Sequence, residues 1–220
     1  MPANKASGRK PVAGIILAAG RGSRMGTAKQ LLPFEHTTLL GRVVDTAKAA
    51  KLDAVILVLG FEADQIRHCL ETTHPELTGI RVVENPDWQN GQSFSVAAGL
   101  AVLPPDTGGV LFLLGDQPLV TVRTINNLVS AFQTTDQWIV VPRFQGKRGN
   151  PVLVAAPLFD RLKQPAGDAG ARVLFNEFKF RICYLDVDDP GILMDVDTPQ
   201  EYADLVRDQK SGQTGFNRRR

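Results

Sequence analysis

The chain alternates short, almost wholly apolar runs with segments whose apolar residues are spaced as on one face of a helix. Continuous apolar runs are typical of strands buried on both faces of a sheet, and parallel strands need crossover helices between them. The alternation therefore predicts a single Rossmann-like α/β domain, with a mostly parallel sheet between helices in three αβα layers. The predicted strands cover residues 12–18, 54–59, 80–83, 110–114, 139–141, 152–155 and 180–187.

Helical spacing fills most of the gaps between these strands. The predicted helices cover residues 38–50, 63–70, 93–103, 122–132 and 200–207. Thr198 and Pro199 predict the start of the last helix, with threonine as the N-cap and proline at the first helical position. Between the fifth and sixth strands, the sequence PRFQGKRGNP predicts either a hairpin or a longer connection that contains a loop.

The ends of the chain differ from its body. Residues 1–10 and 209–220 are polar and lack hydrophobic periodicity, so we predict two disordered tails around one domain at 11–208. The formal net charge is +2, but residues 1–10 and 208–220 each contribute +3, which leaves residues 11–207 at −4. A nucleic-acid binder needs a basic stripe on its folded part, so we expect no nucleic-acid partner.

Two further classes are disfavoured. Cys69 and Cys183 are far apart and match neither a zinc-binding spacing nor a disulfide framework. The apolar run at 12–19 is too short to cross a bilayer, and no signal-peptide pattern accompanies it. We therefore expect a cytoplasmic protein without a membrane partner.

A glycine-rich loop, LAAGRGSRMGTAK at 17–29, directly follows the first predicted strand. Small residues let backbone N–H groups approach phosphate oxygens, and Arg24 and Lys29 supply positive charge, so the loop is typical of a phosphate cradle. It is neither a Walker A loop nor a dinucleotide fingerprint, since no GK[ST] follows and the glycines are spaced GxGxxxG. The alternative is a tight turn with unrelated basic residues. The expected nucleotide contacts in the loop are Leu17, Ala18, Ala19, Gly20 and Gly22.

Carboxylates follow later in the chain. Asp116 comes directly after the fourth strand, in LLGDQP, and should stand at the carboxyl edge of the sheet, where α/β folds bind ligands. Mg²⁺ prefers one or two carboxylates together with phosphates and water, and Asp195 or Asp197 in MDVDTP could supply the second. The alternatives are a loop-capping role for Asp116 and a helix-terminus role for Asp197.

The segment QNGQSFSV at 89–96 opens the third helix. Its backbone and hydroxyl groups are of the kind that contact a base or a ribose, and Gly91 and Ser95 are the expected contacts. Simple capping of the helix by Ser93 is the alternative.

These motifs resemble those of the MobA-like NTP transferases, and in particular the molybdenum cofactor cytidylyltransferases. The resemblance rests on LAAGRGSRMGTAKQLLPF, NPDWQNGQSFSVAAGL, LLGDQP, RGNPVLV, GDAGAR and DVDTPQEY, which cover nearly the whole body. It implies a fold of the nucleotide-diphospho-sugar transferase type and transfer of CMP from CTP to the phosphate of the molybdenum cofactor, with release of pyrophosphate. Arg24, Lys29 and Asp116 would then be catalytic, and Asp116 and Asp197 would bind Mg²⁺.

The resemblance also implies further site residues and partners. Ser95 matches a serine that reads cytosine, and the expected acceptor contacts are Arg148, Gly149, Pro151, Asp168, Gly170 and Arg172. A molybdoenzyme apoprotein or its maturation chaperone would receive the product. Another cytidylyl- or guanylyltransferase, a non-catalytic cofactor carrier and a dinucleotide-dependent oxidoreductase remain alternatives.

Ala19 leads to an expectation about the base. Related guanylyltransferases have LAGG where this chain has LAAG, so we expect the Ala19 methyl to lie against the nucleobase and to exclude guanine. Steric exclusion of this kind is worth about 1–3 kcal/mol, which predicts a preference for CTP over GTP.

Overall fold

The computed structural model describes residues 8–22, 25–73, 79–164 and 174–210. They form one sheet in the order β10-β7-β9-β6-β1-β4-β5, with β8 paired to β7, and a separate β2–β3 hairpin. The strands are β1 Val12–Leu17, β2 Pro33–Phe34, β3 Thr37–Thr38, β4 Ala54–Leu59, β5 Ile80–Glu84, β6 Gly109–Leu114, β7 Ile139–Phe144, β8 Lys147–Arg148, β9 Val152–Ala155 and β10 Ile182–Asp186. The α-helices are α1 Leu39–Ala49, α2 Ala63–Thr73, α3 Gln92–Leu100, α4 Val122–Thr134, α5 Phe159–Leu162, α6 Leu174–Glu177 and α7 Pro199–Lys210.

The sheet lies between two layers of helices, as predicted. Along β1, Val12 and Ile16 belong to the core beneath α1, α2 and α4, whereas Ala13 and Ile15 belong to the core beneath α3, α5 and α6. This alternation follows from the two-residue period of a strand, and it explains why the strand is apolar throughout. Thr38 and Thr121 begin α1 and α4 as N-caps, each accepting a hydrogen bond from a backbone N–H in the first turn.

The sheet is mixed, and β9 is the antiparallel strand that lies between β6 and β7. The pairs β1–β4, β1–β6, β4–β5 and β7–β10 are parallel, while β9 runs antiparallel to both β6 and β7. The reason is the predicted hairpin: the chain leaves β7, turns at Gln145 and Gly146 with positive φ angles, and returns along β8. It then enters β9 from the edge at which β7 ended, so β9 must run in the opposite direction.

The short β2–β3 hairpin was not predicted. It packs with α7 in a small separate cluster that includes Phe34, Leu39, Val196 and Leu205. The Tyr202 hydroxyl also donates to the Pro33 carbonyl at 2.7 Å. Helix α7 runs to Lys210, two residues into the segment predicted as a tail.

The parallel strands β1, β4 and β6 all end at one edge of the sheet, so the loops that follow them are neighbours. Within the described ranges, every helix falls short of the length and apolar character needed to span a bilayer.

Candidate active site

The glycine-rich loop follows β1 and is held from two sides. On one side, Nε2 of Gln30 donates to the carbonyls of Ala18 at 2.9 Å and of Gly20 at 2.8 Å. On the other side, the Phe61 N–H donates to the Ala19 carbonyl at 3.0 Å. Gly22 has a φ of +60°, which favours glycine, and a Cβ there would lie 3.2 Å from the Lys29 side chain. The loop therefore passes closely over the lysine stem.

Lys29 lies at the centre of the site. Its Nζ is 2.6 Å from Oδ2 of Asp116 and 2.7 Å from Oδ1 of Asp197. The lysine side chain is 11% exposed, and those of Asp116 and Asp197 are 22% and 39% exposed. Three of the residues predicted from sequence as catalytic or metal-binding thus meet in one ion triad.

Backbone contacts explain why Asp197 reaches this position. The Val196 N–H donates to the Asp116 carbonyl at 3.0 Å, which ties the segment before α7 to the loop after β6. Thr198 and Glu201 then form a capping box, since the Glu201 N–H donates to Thr198 Oγ1 and the Glu201 carboxylate accepts from the Asp197 and Thr198 N–H groups. The predicted N-cap at Thr198 is confirmed, and it fixes the backbone of Asp197.

The charges of the triad are coupled. Burial alone would lower the pKa of Lys29, but the carboxylates of Asp116 and Asp197 outweigh that cost and hold its pKa above the ordinary value. The pKa of Asp195 is raised above its ordinary value, mainly by burial. A backbone hydrogen bond lowers it, but the negative charges of Asp197 and Asp116 raise it further. Asp197 faces the lysine ammonium together with Asp116, which favours it over Asp195 as the second carboxylate of the site.

The donor set fits a magnesium ion that is shared with a nucleotide. Oδ1 of Asp116 is buried and accepts no hydrogen bond from any residue that the structure describes, so a buried acceptor is left for a cation. A metal held by protein ligands alone would require at least three His, Cys, Asp or Glu side chains close together. The described residues contain no such group. Two carboxylates completed by phosphate oxygens and water are the arrangement that Mg²⁺ commonly uses.

The residues predicted to contact the base lie beside the loop. Gly91 is the N-cap of α3 and has a φ of +107°. Ser95 is 4% exposed, and its hydroxyl accepts a hydrogen bond from Asn85 Nδ2 at 3.0 Å, so it sits within the wall of the site rather than on its surface. Leu17 ends β1, and Ala18 is buried.

Ala19 is buried beside the loop that follows β4. The residue is 4% exposed, and a Cβ built on Gly60 would lie 2.8 Å from the Ala19 Cβ. The methyl group therefore packs against Gly60, and the expected contact with a base stays a prediction.

The acceptor-side residues are only partly described. Arg148 is exposed in β8, with its guanidinium 5.7 Å from the centre of the Phe175 ring. Gly149 packs so closely on the Ile192 carbonyl that a Cβ there would collide with it, and Pro151 follows a cis peptide bond. Arg24, Asp168, Gly170 and Arg172 lie outside the described residues.

A cavity of about 200 Å³ opens at this edge of the sheet. The ends of β1 and β6 form part of its wall, and two amide residues, Gln92 and Asn150, also line it. The full lining is Leu17, Gln92, Val96, Phe112, Leu114, Asn150, Val152 and Phe175. Such a mixture of apolar walls and a few polar groups is typical of a small-molecule pocket.

Some residues at the site were not predicted. Gln30 braces the loop, Phe61 and Trp88 form an edge-to-face pair beside it, and Phe175 lines the cavity. Arg21 stacks over the Phe61 ring at 5.6 Å. These contacts depend on tertiary packing, and no local pattern in the sequence indicates them.

The class of protein follows from this fold and site together with a family comparison. A family model for the MobA-like NTP transferase domain matches residues 14–181. The chain belongs to the MobA-like NTP transferase family.

Curated relatives of this chain carry different names. Nicotine blue oxidoreductase of Paenarthrobacter nicotinovorans is 31% identical over 207 residues, which cover 89% of this chain and 96% of that protein. Purine catabolism protein PucB of Bacillus subtilis is 30% identical over 200 residues, covering 88% and 95%. Molybdenum cofactor cytidylyltransferase of Escherichia coli is 28% identical over 189 residues, covering 86% and 92%.

Solved structures share the fold over nearly the whole chain. A homologue of Rv0371c from Mycobacterium sp. strain JC1 has a TM-score of 0.80 at 30% identity, covering 92% of this chain and 98% of that one. Rv0371c of Mycobacterium tuberculosis, solved in complex with manganese, has a TM-score of 0.72 at 30% identity, covering 91% and 100%.

Proposed function

We propose that this protein is a magnesium-dependent cytidylyltransferase that transfers CMP from CTP to the phosphate of the molybdenum cofactor and releases pyrophosphate. The observation that carries the proposal is the triad of Lys29, Asp116 and Asp197 directly beneath the glycine-rich loop. A cation held by two carboxylates next to a phosphate cradle suits the chemistry of a nucleoside triphosphate.

In the proposed reaction, an oxygen of the acceptor phosphate attacks the α-phosphorus of CTP in line. A new bond forms between that oxygen and the α-phosphorus, while the bond to the bridging oxygen of the β-phosphate breaks. Pyrophosphate leaves with the bonding electron pair. No covalent bond to the protein is required, so positioning and charge neutralisation supply the acceleration.

The chain's own groups have separate tasks in this reaction. The loop backbone and Lys29 bind and orient the triphosphate, and Lys29 counters the negative charge that builds up on the transferred group. Asp116 and Asp197 would hold Mg²⁺, which, when bound, neutralises phosphate charge. Arg24, which lies outside the described residues, is proposed to share the phosphate-binding role.

The pocket supports a ring-bearing acceptor. Its apolar walls suit a flat heterocycle, and the amides of Gln92 and Asn150 suit the hydrogen-bonding edge of a pterin. Arg148 and Arg172 are proposed to bind acceptor or leaving-group phosphate, since guanidinium groups recognise phosphate in a bidentate manner. The acceptor is further supported by the 28% identity to the E. coli molybdenum cofactor cytidylyltransferase. We place the reaction in the cytoplasm, with a molybdoenzyme or its chaperone as recipient of the product.

A second candidate is dinucleotide-dependent oxidoreduction, which is favoured by the name of the 31% identical nicotine blue oxidoreductase. The sequence supports it less, because the loop has GxGxxxG spacing and the interval where the ribose-binding acid is expected falls in α1. A nicotinamide cofactor also has little use for two carboxylates that face a lysine.

The proposal is tested by incubating the protein with purified molybdopterin cofactor, Mg²⁺ and each NTP in turn, followed by mass spectrometry. The expected product is the cytosine dinucleotide form of the cofactor, and Asp116→Asn should not form it. Asp160→Asn is the matched control, because Asp160 is exposed and forms a surface ion pair with Lys163. Binding of NADH in a parallel calorimetric titration, together with no nucleotide transfer to the cofactor, would instead support the second candidate.

A further inference from the structure

Gln30 is a buried polar residue to which the proposed reaction gives no task. It is 3% exposed and directly follows Lys29 in the chain. Both residues lie in the short 3-10 helix Lys29–Leu31. Its Nε2 makes both possible hydrogen bonds, at 2.9 Å to the Ala18 carbonyl and 2.8 Å to the Gly20 carbonyl. The side chain thus holds the carbonyls on either side of Ala19.

These bonds fix the direction of the intervening N–H groups. A peptide unit is planar and trans, so its N–H points away from its carbonyl. Holding the Ala18 and Gly20 carbonyls toward Gln30 therefore turns the Ala19 and Arg21 N–H groups away from it. The bond from Phe61 to the Ala19 carbonyl fixes the N–H of Gly20 in the same manner.

The N–H groups of Ala19, Gly20 and Arg21 donate to no other residue in the described ranges. Backbone N–H groups without partners in a glycine-rich turn are the usual ligands of phosphate oxygens. Because Gln30 and Lys29 share one short turn, the orientation of the loop and the position of the ammonium are set together.

We propose that Gln30 is a positioning residue that orients the backbone N–H groups of the 18–21 turn for the phosphates of the nucleotide. This inference rests on the proposed nucleotidyltransferase function. It assigns to the glutamine a role in nucleotide affinity that is separate from its contribution to folding.

A second feature of Gln30 makes the two roles separable. Its Oε1 is buried and has no hydrogen-bond partner among the described residues. Gln30→Met removes this unsatisfied oxygen together with the two donated bonds, at nearly constant volume. The two effects oppose each other in stability, so the melting temperature should stay within about 4 °C of wild type. The loop, however, loses the two hydrogen bonds that orient the Ala18 and Gly20 carbonyls.

The experiment is calorimetric titration of wild type, Gln30→Met and Gln30→Glu with CTP and Mg²⁺, without acceptor. Gln30→Met should raise the Kd for CTP about tenfold. Gln30→Glu should raise the Kd for CTP further, because a carboxylate repels the two carbonyl oxygens. If Gln30→Met does not fold, Gln30→Glu is used in its place. In turnover, the KM for CTP should rise while the KM for the acceptor stays unchanged.

Gln137→Met is the matched control. Gln137 also has a buried Oε1 without a partner in the described part of the chain, but it precedes β7 at the opposite edge of the sheet. It should leave CTP affinity unchanged. A Gln30→Met protein that binds CTP within twofold of wild type, whatever its melting temperature, would overturn the positioning role. A wild-type protein that binds none of the NTPs would instead overturn the proposed function.

Discussion

The ammonium of Lys29 lies 2.6 Å from Oδ2 of Asp116, although 87 positions separate the two residues in the sequence. They meet because β1 and β6 are adjacent parallel strands, so the loops after them leave the same edge of the sheet. The contact leaves Lys29 next to both the proposed triphosphate and the proposed metal ligands.

Lys29→Ala should lower kcat by about 10² to 10³, because the ammonium is expected to act most strongly on charge that develops in the transition state. CTP affinity should change much less. Rate and affinity are separated by single-turnover kinetics together with equilibrium binding. A large loss of CTP binding with unchanged turnover would reduce Lys29 to a ground-state phosphate contact.

Asp116→Ala should abolish turnover and leave the fold intact. Without this carboxylate the site would hold Mg²⁺ poorly, and the negative charge of the triphosphate would no longer be neutralised. Pyrophosphate release at saturating Mg²⁺ measures the effect, with circular dichroism as the check on folding. Activity above about a tenth of wild type would refute the metal role.

Asp189 is a structural carboxylate at the same end of the sheet. It is 3% exposed and accepts hydrogen bonds from the Thr121 N–H and hydroxyl, the Thr124 hydroxyl and the Gly191 N–H. Asp189→Ala leaves the buried Thr124 hydroxyl and Gly191 N–H without their acceptor, so we expect the free energy of unfolding to fall by about 2–4 kcal/mol in urea denaturation. Asp160→Ala, at an exposed site, should change it by less than about 0.5 kcal/mol. Equal stabilities for the two variants would contradict the assignment.

Gly60 is the packing partner of the glycine-rich loop. A Cβ at this position would lie 2.6 Å from the Trp88 Cβ and 2.8 Å from the Ala19 Cβ. Gly60→Ala should therefore destabilise the fold by about 1–3 kcal/mol and weaken CTP binding, since one of the two neighbours must move. Gly8→Ala meets no atom within 4 Å and serves as the control. Unchanged CTP affinity in Gly60→Ala would show that the packing of Ala19 does not shape the nucleotide site.

The sequence predicted the central sheet well because its strands are buried on both faces. The bounds of β4 and β9 agree with the predicted runs 54–59 and 152–155, and the three-layer arrangement is confirmed. Helices α2 and α4 extend past their predicted ends, because polar residues in the last turn have no periodic signal. The two-residue strands β2 and β3 were missed for a similar reason, since two residues are too few to establish a period of two.

At the site, Lys29, Asp116 and Asp197 could be predicted because each stands in a motif beside a strand or helix end. Gln30 could not, because a glutamine next to a lysine gives no sign that it will be buried against two carbonyls. The packing of the Ala19 methyl against Gly60 could not be predicted for the same physical reason, and its contact with a base stays a prediction. The direction of a methyl group in a tight loop depends on a neighbour 41 positions away, Gly60, that the local sequence does not reveal.

The central claim is that this family member transfers CMP, and the most direct test is the ratio of kcat/KM for CTP to that for GTP. The measurement uses purified molybdopterin cofactor as acceptor, saturating Mg²⁺ and detection of released pyrophosphate. We predict a ratio of about ten to two hundred in favour of CTP. A ratio below one, or pyrophosphate release that does not depend on the cofactor, would contradict the claim.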